Sequence, residues 1–297
     1  MKNYTIKEKI SAIFELSRPW QYYKNLVVFL AIFFSGNILT IGYFSRAAAG
    51  FIALCLMSSV NYIINDYTDR KNDRFNSEKS SRPLASGKIS PDFALSSAFL
   101  LFLLSLSISY FLGYVFFAAV LAFFCISSLY SLFFKNEIFL DLISISINFV
   151  LRAVAGAFAI NVWISPWLIV GTFFLSLFLA CGKRKSEIML LTSKSKSHRA
   201  VLADYSEKTI DLVLSATTSL LLMSYALYCF LGNYELLLLT LPIVTYIIFR
   251  YIYIIYSGSD IARFPHRFVK DYRMTFAVFI YFMLAFIVIY YKNIIWI

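Results

Sequence analysis

Asn65-Asp66-Tyr67-Thr68-Asp69-Arg70-Lys71-Asn72-Asp73 closes a long apolar run and carries three carboxylates at i, i+3 and i+7. On a helix these positions share one face, and Asn65 joins them four residues before Asp69. Carboxylates stacked this closely repel one another unless a cation lies between them. An oxygen-only set without His or Cys favours a hard ion such as Mg²⁺, which commonly arrives with substrate phosphates. The stretch therefore predicts a membrane enzyme that handles a diphosphate at the bilayer surface.

The surrounding chain has the composition of a membrane protein. Of its 297 residues 60% are hydrophobic and 14% charged, and Phe and Tyr number 31 and 21. Mean hydropathy is +0.74, well above that of a soluble domain. Nine apolar runs are long enough to span a bilayer, near 25–44, 47–65, 92–112, 114–134, 139–160, 165–182, 209–231, 236–256 and 274–292. The fold expected is all-α and polytopic, nine transmembrane helices around a central cavity. Ahead of the first run, Ile6, Ile10, Ile13 and Phe14 recur at helical spacing, so residues 1–20 read as a short amphipathic helix on the membrane surface. The same residues have no apolar core of the signal-peptide kind, and no cleaved leader is expected.

The net charge of +11 could suggest nucleic acid, but its placement argues otherwise. With the N-terminus in the cytoplasm, every Lys and Arg except Arg46, Arg152 and Lys292 falls on the inner side. The positive-inside rule then puts the C-terminus outside, in a cell (inner) membrane. Every Asp and Glu except Glu235 is also on the inner side, although acids contribute little to that rule. Their asymmetry predicts chemistry at the cytoplasmic face, with active-site loops at 66–91 and 183–208 of a single 1–297 domain. These charged loops lie four spans apart, as two four-helix halves over one cavity would place them. Cys55, Cys125, Cys181 and Cys229 all lie in apolar runs and read as small core residues.

The loop after the acidic stretch continues Arg82-Pro83-Leu84-Ala85-Ser86-Gly87. NDxxDxxxD followed by RPLASG resembles the UbiA superfamily of intramembrane prenyltransferases, over nearly the whole chain. Further segments resemble its polyprenyl-phosphate (decaprenyl-phosphate) phosphoribosyltransferase branch. They are Arg18-Pro19-Trp20-Gln21-Tyr22-Tyr23-Lys24-Asn25, Tyr130-Ser131 with Lys135 and Asp141, Leu151-Arg152-Ala153-Val154-Ala155-Gly156-Ala157, and Lys183-Arg184-Lys185-Ser186-Glu187. Aromatic prenyltransferases of the superfamily carry a second DxxxD where this chain has KRKSE. One carboxylate arm and one cationic arm suit two anionic substrates. The resemblance thus implies transfer of 5-phosphoribosyl from phosphoribosyl pyrophosphate to a polyprenyl phosphate, with Mg²⁺, or Mn²⁺ in its place, as cofactor. The acceptor oxygen is already anionic, in keeping with a sequence that offers no Ser/His/Asp or Cys/His arrangement.

On this reading Asp66, Asp69 and Asp73 form the catalytic and metal-binding set, with Asn65 beside them at the diphosphate. Arg82, Lys183 and Arg184 are expected to bind phosphate, Glu187 to orient them or to meet ribose hydroxyls, and Lys24 to serve the acceptor phosphate. Lys135 joins the substrate-binding set through its motif. Arg152, inside a span, is expected to face the cavity or a buried polar partner. Asp141 is open to a salt bridge with Lys135 or a site role. Lys185 reads as a solvated topogenic charge. His198 and His266 read as surface residues, Lys194, Lys196 and Arg199 as a solvated loop attracting anionic lipid, and Tyr246, Tyr251, Tyr253 and Tyr256 as interfacial packing. An aromatic prenyltransferase and a lipid or solute transporter are the alternatives. Partners are the two phosphorylated substrates and the bilayer, not nucleic acid, with a homo-oligomer left open.

Overall fold

The computed structural model describes residues 6–76, 79–191 and 205–295, and all their regular elements are helical. The chain divides into two compact units by its internal packing. One holds Met1–Phe134 and Leu151–Trp163, the other Lys135–Val150 and Ile164–Ile297.

In the first unit α1 (Ile6–Ser17) is followed by a 3₁₀ segment, Pro19–Val28, and a short α2 (Phe29–Phe34). Then come α3 (Ile41–Asp73), α4 (Pro91–Leu112), α5 (Tyr114–Leu132) and the second half of α6 (Leu140–Ile160). The 33 residues of α3 extend about 50 Å, well beyond a ~30 Å hydrocarbon layer. Its last turns therefore carry the acidic stretch clear of the apolar thickness. Residues 66–73 are helical, as their shared face requires, so the stretch marked as a loop at 66–91 leaves the helix only after Asp73.

The first apolar run departs most from expectation. It is not one long helix, and eight helices among the described residues, not nine, are long and apolar enough to cross a membrane. Arg18, in a left-handed conformation at φ 50°, starts the 3₁₀ segment just before Pro19. From there the chain runs antiparallel to α3. Arg18 meets Asp66, Tyr22 meets Ser59, Asn25 meets Ser58 and Cys55, and Phe29 meets Phe51 and Phe44. A 3₁₀ helix rises about 2.0 Å per residue, so few residues cover a long stretch of α3. The path is fixed by a close backbone contact. A Cβ on Gly156 of α6 would fall 2.1 Å from the Val28 carbonyl oxygen, so only glycine lets the two backbones meet. Arg46 is held at the opposite end of α3 from Arg18. Its Nε and Nη2 donate to the Ala159 and Leu112 carbonyls at 2.7 and 2.8 Å, capping the ends of α6 and α4.

The second unit holds the first half of α6, then α7 (Pro166–Leu191), α8 (Glu207–Leu231), α9 (Leu241–Tyr256), α10 (Asp260–Arg263) and α11 (Tyr272–Ile295). Its core gathers Leu142, Phe178, Leu214, Leu221, Ile248, Tyr251 and Ile255. Tyr251 is therefore core rather than interfacial, tilted against Phe178 at 5.4 Å between ring centroids. Cys55, Cys181 and Cys229 are buried as expected, but Cys125 is exposed on α5. Exposed apolar side chains such as Leu103, Phe111, Phe230, Phe276 and Phe279 line the long helices, as lipid-facing surfaces require. The chain is an integral membrane protein.

Candidate active site

Two turns of α3 separate Asp66 from Asp73, and a separation of seven residues returns both to nearly one direction. Both are buried. A single nitrogen joins them: Arg82 Nη1 donates to Asp66 Oδ1 at 3.0 Å and to Asp73 Oδ2 at 2.8 Å. Arg18 Nη2 adds a 2.6 Å bond to the same Asp66 oxygen, and Lys79 lies 3.8 Å from Asp73. The loop that presents Arg82 is tied back to α3, because Arg74 Nε donates to the Ala85 carbonyl at 3.1 Å. Leu84, Ala85 and Ile89 bury beneath it, and Gly87 turns the chain at φ 76°. Asn65 and Asp69 are partly exposed on the same helix. The acidic stretch is thus a seat for positive charge, here taken by arginines.

Its chemistry suits a hard divalent cation. The donors are all carboxylate or amide oxygens, and two carboxylates already converge on one positive atom. Among the described residues no three His, Cys, Asp or Glu side chains come together closely enough to form a metal site as they stand. Arg82 would have to yield its place between Asp66 and Asp73.

A buried polar knot lies deeper in the same unit. Asn25, fully buried, accepts from Arg152 Nε at 2.8 Å and donates to Ser58 Oγ and Cys55 Sγ at 3.3 and 3.2 Å. The Arg152 guanidinium also sits 4.5 Å from the Phe123 ring centroid. Arg152 therefore has the buried polar partner expected for an arginine inside a span. Lys24 donates to Gln21 Oε1 at 2.6 Å.

In the second unit the basic run after span six is helical and belongs to α7, again not a loop. Its three cations point three ways, as steps of about 100° dictate. The Lys183 side chain is 42% exposed and lies 3.9 Å from Glu187. Arg184 is buried, donating from Nε to Asp141 Oδ2 at 2.8 Å and from Nη1 to Glu187 Oε2 at 2.6 Å. Lys185 corrects the reading of a solvated charge. Its side chain is only 4% exposed and pairs with Asp211 at 3.0 Å and Glu207 at 3.7 Å. Asp141 takes Arg184 as its salt-bridge partner, and its other oxygen accepts from Tyr205 at 2.8 Å. Tyr205 in turn accepts from the Phe139 N–H at 2.7 Å. Burial, with the carboxylate of Asp141 alongside, pushes the Tyr205 hydroxyl above its usual range. Lys135 lies in a 3₁₀ turn, Phe134–Asn136, just before α6.

Arg18, Asn25 and Tyr205 went unassigned in the sequence reading. The first two stand in the quoted Arg18–Asn25 segment, so its motif was the available signal; Tyr205 had none. Lys194, Lys196, His198 and Arg199 lie outside the described residues, as does the His266 side chain.

The sequence profile of the UbiA prenyltransferase family matches residues 26–269. Decaprenyl-phosphate phosphoribosyltransferase of Mycolicibacterium smegmatis is 31% identical over 228 residues, 75% of this chain and 72% of that one. The protein of the same name from Corynebacterium glutamicum is 30% identical over 220 residues, 72% of this chain and 65% of that one. A UbiA homolog from Archaeoglobus fulgidus, solved with GPP and Mg²⁺, superposes with a TM-score of 0.71 over 94% of this chain and 99% of its own, at 19% identity. That likeness speaks for the fold, the profile and the two relatives for descent, and the Asp66–Asp73 cluster stands inside the matched range: this chain belongs to the UbiA prenyltransferase family.

Proposed function

We propose that this chain transfers the 5-phosphoribosyl group of phosphoribosyl pyrophosphate to a polyprenyl phosphate, at the cytoplasmic face of a cell membrane with its N-terminus inside. The observation that carries the reading is the pair of buried carboxylates, Asp66 and Asp73, joined by the partly exposed Arg82, in a chain 31% identical to a decaprenyl-phosphate phosphoribosyltransferase. Asp66, Asp69 and Asp73, with Asn65, would hold Mg²⁺. Bound there, the ion would offset charge on the departing pyrophosphate.

The residues of the chain account for the rest. Arg18 and Arg82 stand beside the carboxylates and can turn to the diphosphate oxygens, where a guanidinium forms charge-assisted pairs. An acceptor phosphate oxygen attacks ribose C1 as the bond from C1 to the pyrophosphate oxygen breaks. The bonding pair leaves with pyrophosphate, and no proton has to move. C1 gains oxocarbenium character, as in other glycosyl transfers. Lys183 and Lys24, both near the ends of their apolar runs, are the cations assigned to phosphate. Arg184 serves by fixing Glu187. Lys135 and Arg152 remain in the substrate-binding set, Arg152 through Asn25.

The test is to incubate the purified protein with Mg²⁺, labelled phosphoribosyl pyrophosphate and a polyprenyl phosphate. Label should move into the lipid phase and stay aqueous when the lipid is omitted. No lipid-linked label, together with prenylation of 4-hydroxybenzoate from geranyl diphosphate, would assign the chain to aromatic prenyl transfer instead.

A further inference from the structure

Asn61 stands on α3 one turn before Asn65. Its side-chain Nδ2 and Oδ1 are both sealed from solvent, and neither has a hydrogen-bond partner among the described residues. An unpaired buried polar group destabilises a fold, and native structures contain few of them. Leucine or valine would fill the position in a membrane span without that penalty. Asn61 therefore calls for a polar partner beyond the described residues.

Its place on the helix says where that partner lies. Positions 61, 65 and 69 drift by only about 40° per step, so Asn61, Asn65 and Asp69 form one stripe. Asn61 is about 6 Å along the axis from Asn65, on the apolar side of the carboxylates. Asn65 and Asp69 are partly exposed, so the stripe opens within a turn of Asn61.

The chemistry of the amide selects the ligand group. Nδ2 donates and Oδ1 accepts, and both are unpaired. A phosphate oxygen only accepts and would leave Oδ1 unmatched. A vicinal diol meets both atoms, one hydroxyl accepting from Nδ2 and the other donating to Oδ1. We propose that Asn61 binds the ribose hydroxyls of the phosphoribosyl donor and sets its preference for ribose over 2-deoxyribose. This rests on the reading above, in which the donor diphosphate lies at Asp66–Asp73. The 2-hydroxyl is on the carbon next to the one that carries the diphosphate and the 3-hydroxyl is one carbon further, so the diol extends away from the diphosphate toward Asn61, one helical turn beyond Asn65.

The experiment compares kcat/KM for the ribose donor and its 2-deoxy analogue, in wild type and in Asn61→Leu. Comparing the ratio between the two proteins cancels the analogue's own reactivity. The variant should lose about 10- to 100-fold with the ribose donor and under about 3-fold with the 2-deoxy donor, so that discrimination collapses. Its melting temperature should equal or exceed that of wild type, because a near-isosteric apolar side chain replaces an unpaired amide. Unchanged discrimination, or equal losses with both donors, overturns the proposal while leaving the reading of function in place. Asn61→Ala, judged by the same ratio, decides the matter if the leucine variant does not fold. A wild type that makes no lipid-linked product overturns the reading and this assignment together.

Discussion

Arg184 Nε lies 2.8 Å from Asp141 Oδ2, and the two side chains are 2% and 0% exposed. Removing one partner of such a pair strands the other charge in the interior, at about 3–5 kcal/mol. Arg184→Ala and Asp141→Ala should therefore lower the melting temperature of the detergent-solubilised protein by several degrees. Lys183→Ala, on a half-exposed side chain, should leave melting unchanged and raise the KM for a phosphorylated substrate by roughly tenfold. Equal melting temperatures in all three variants would return Arg184 to the role of a direct phosphate ligand.

Lys185→Ala should also destabilise, by roughly 1–3 kcal/mol, because its buried ammonium holds Asp211 and Glu207 near the start of α8. Denaturant titration of folded protein checks this. A change below about 0.5 kcal/mol would mean that the pairs with Asp211 and Glu207 contribute as little as exposed ones.

Asp69→Asn should lower the single-turnover rate by at least about 100-fold with wild-type melting, since Asp69 is partly exposed and within helical reach of both buried carboxylates. Excess EDTA should stop wild-type turnover, and Mg²⁺ should restore it. A variant rate within threefold of wild type would remove Asp69 from the metal set.

The Arg250 guanidinium bonds Asp271 at 2.7 Å and holds its carboxyl below the usual range. A depressed folded pKa lends stability that is present above the unfolded value of about 3.9 and is lost as pH falls through the folded value. Asp271→Asn should thus melt lower than wild type at pH 7, with the gap closing as pH falls below about 4. A gap that persists unchanged at acid pH would trace the loss to the bond from the Met274 N–H rather than to charge.

Much of the fold was legible because lipid leaves the backbone few choices. Each N–H and C=O in the apolar layer needs an internal partner, so runs of about 20 apolar residues become helices. Eight of the nine runs do so, Pro91–Leu112 and Leu140–Ile160 at nearly their expected bounds, while Ile41–Asp73 and Pro166–Leu191 run several residues past theirs. The spacing of Asp66 and Asp73 likewise fixes their shared face, since helical phase depends on the sequence alone. Tertiary contacts decided the rest. The first run is broken into the end of the 3₁₀ segment, α2 and the start of α3, and its opening residues lie along α3 where Gly156 admits the Val28 carbonyl, a contact between residues far apart in the chain. Lys183, Arg184 and Lys185 are equivalent as letters, yet the packing of α7 leaves one half-exposed and buries two. The partnership of Asn25 with Arg152, 127 positions away, has no local signature. Nor has the sealing of Asn61: composition gives a side chain its polarity, and only the neighbours brought by folding decide whether that polarity is satisfied.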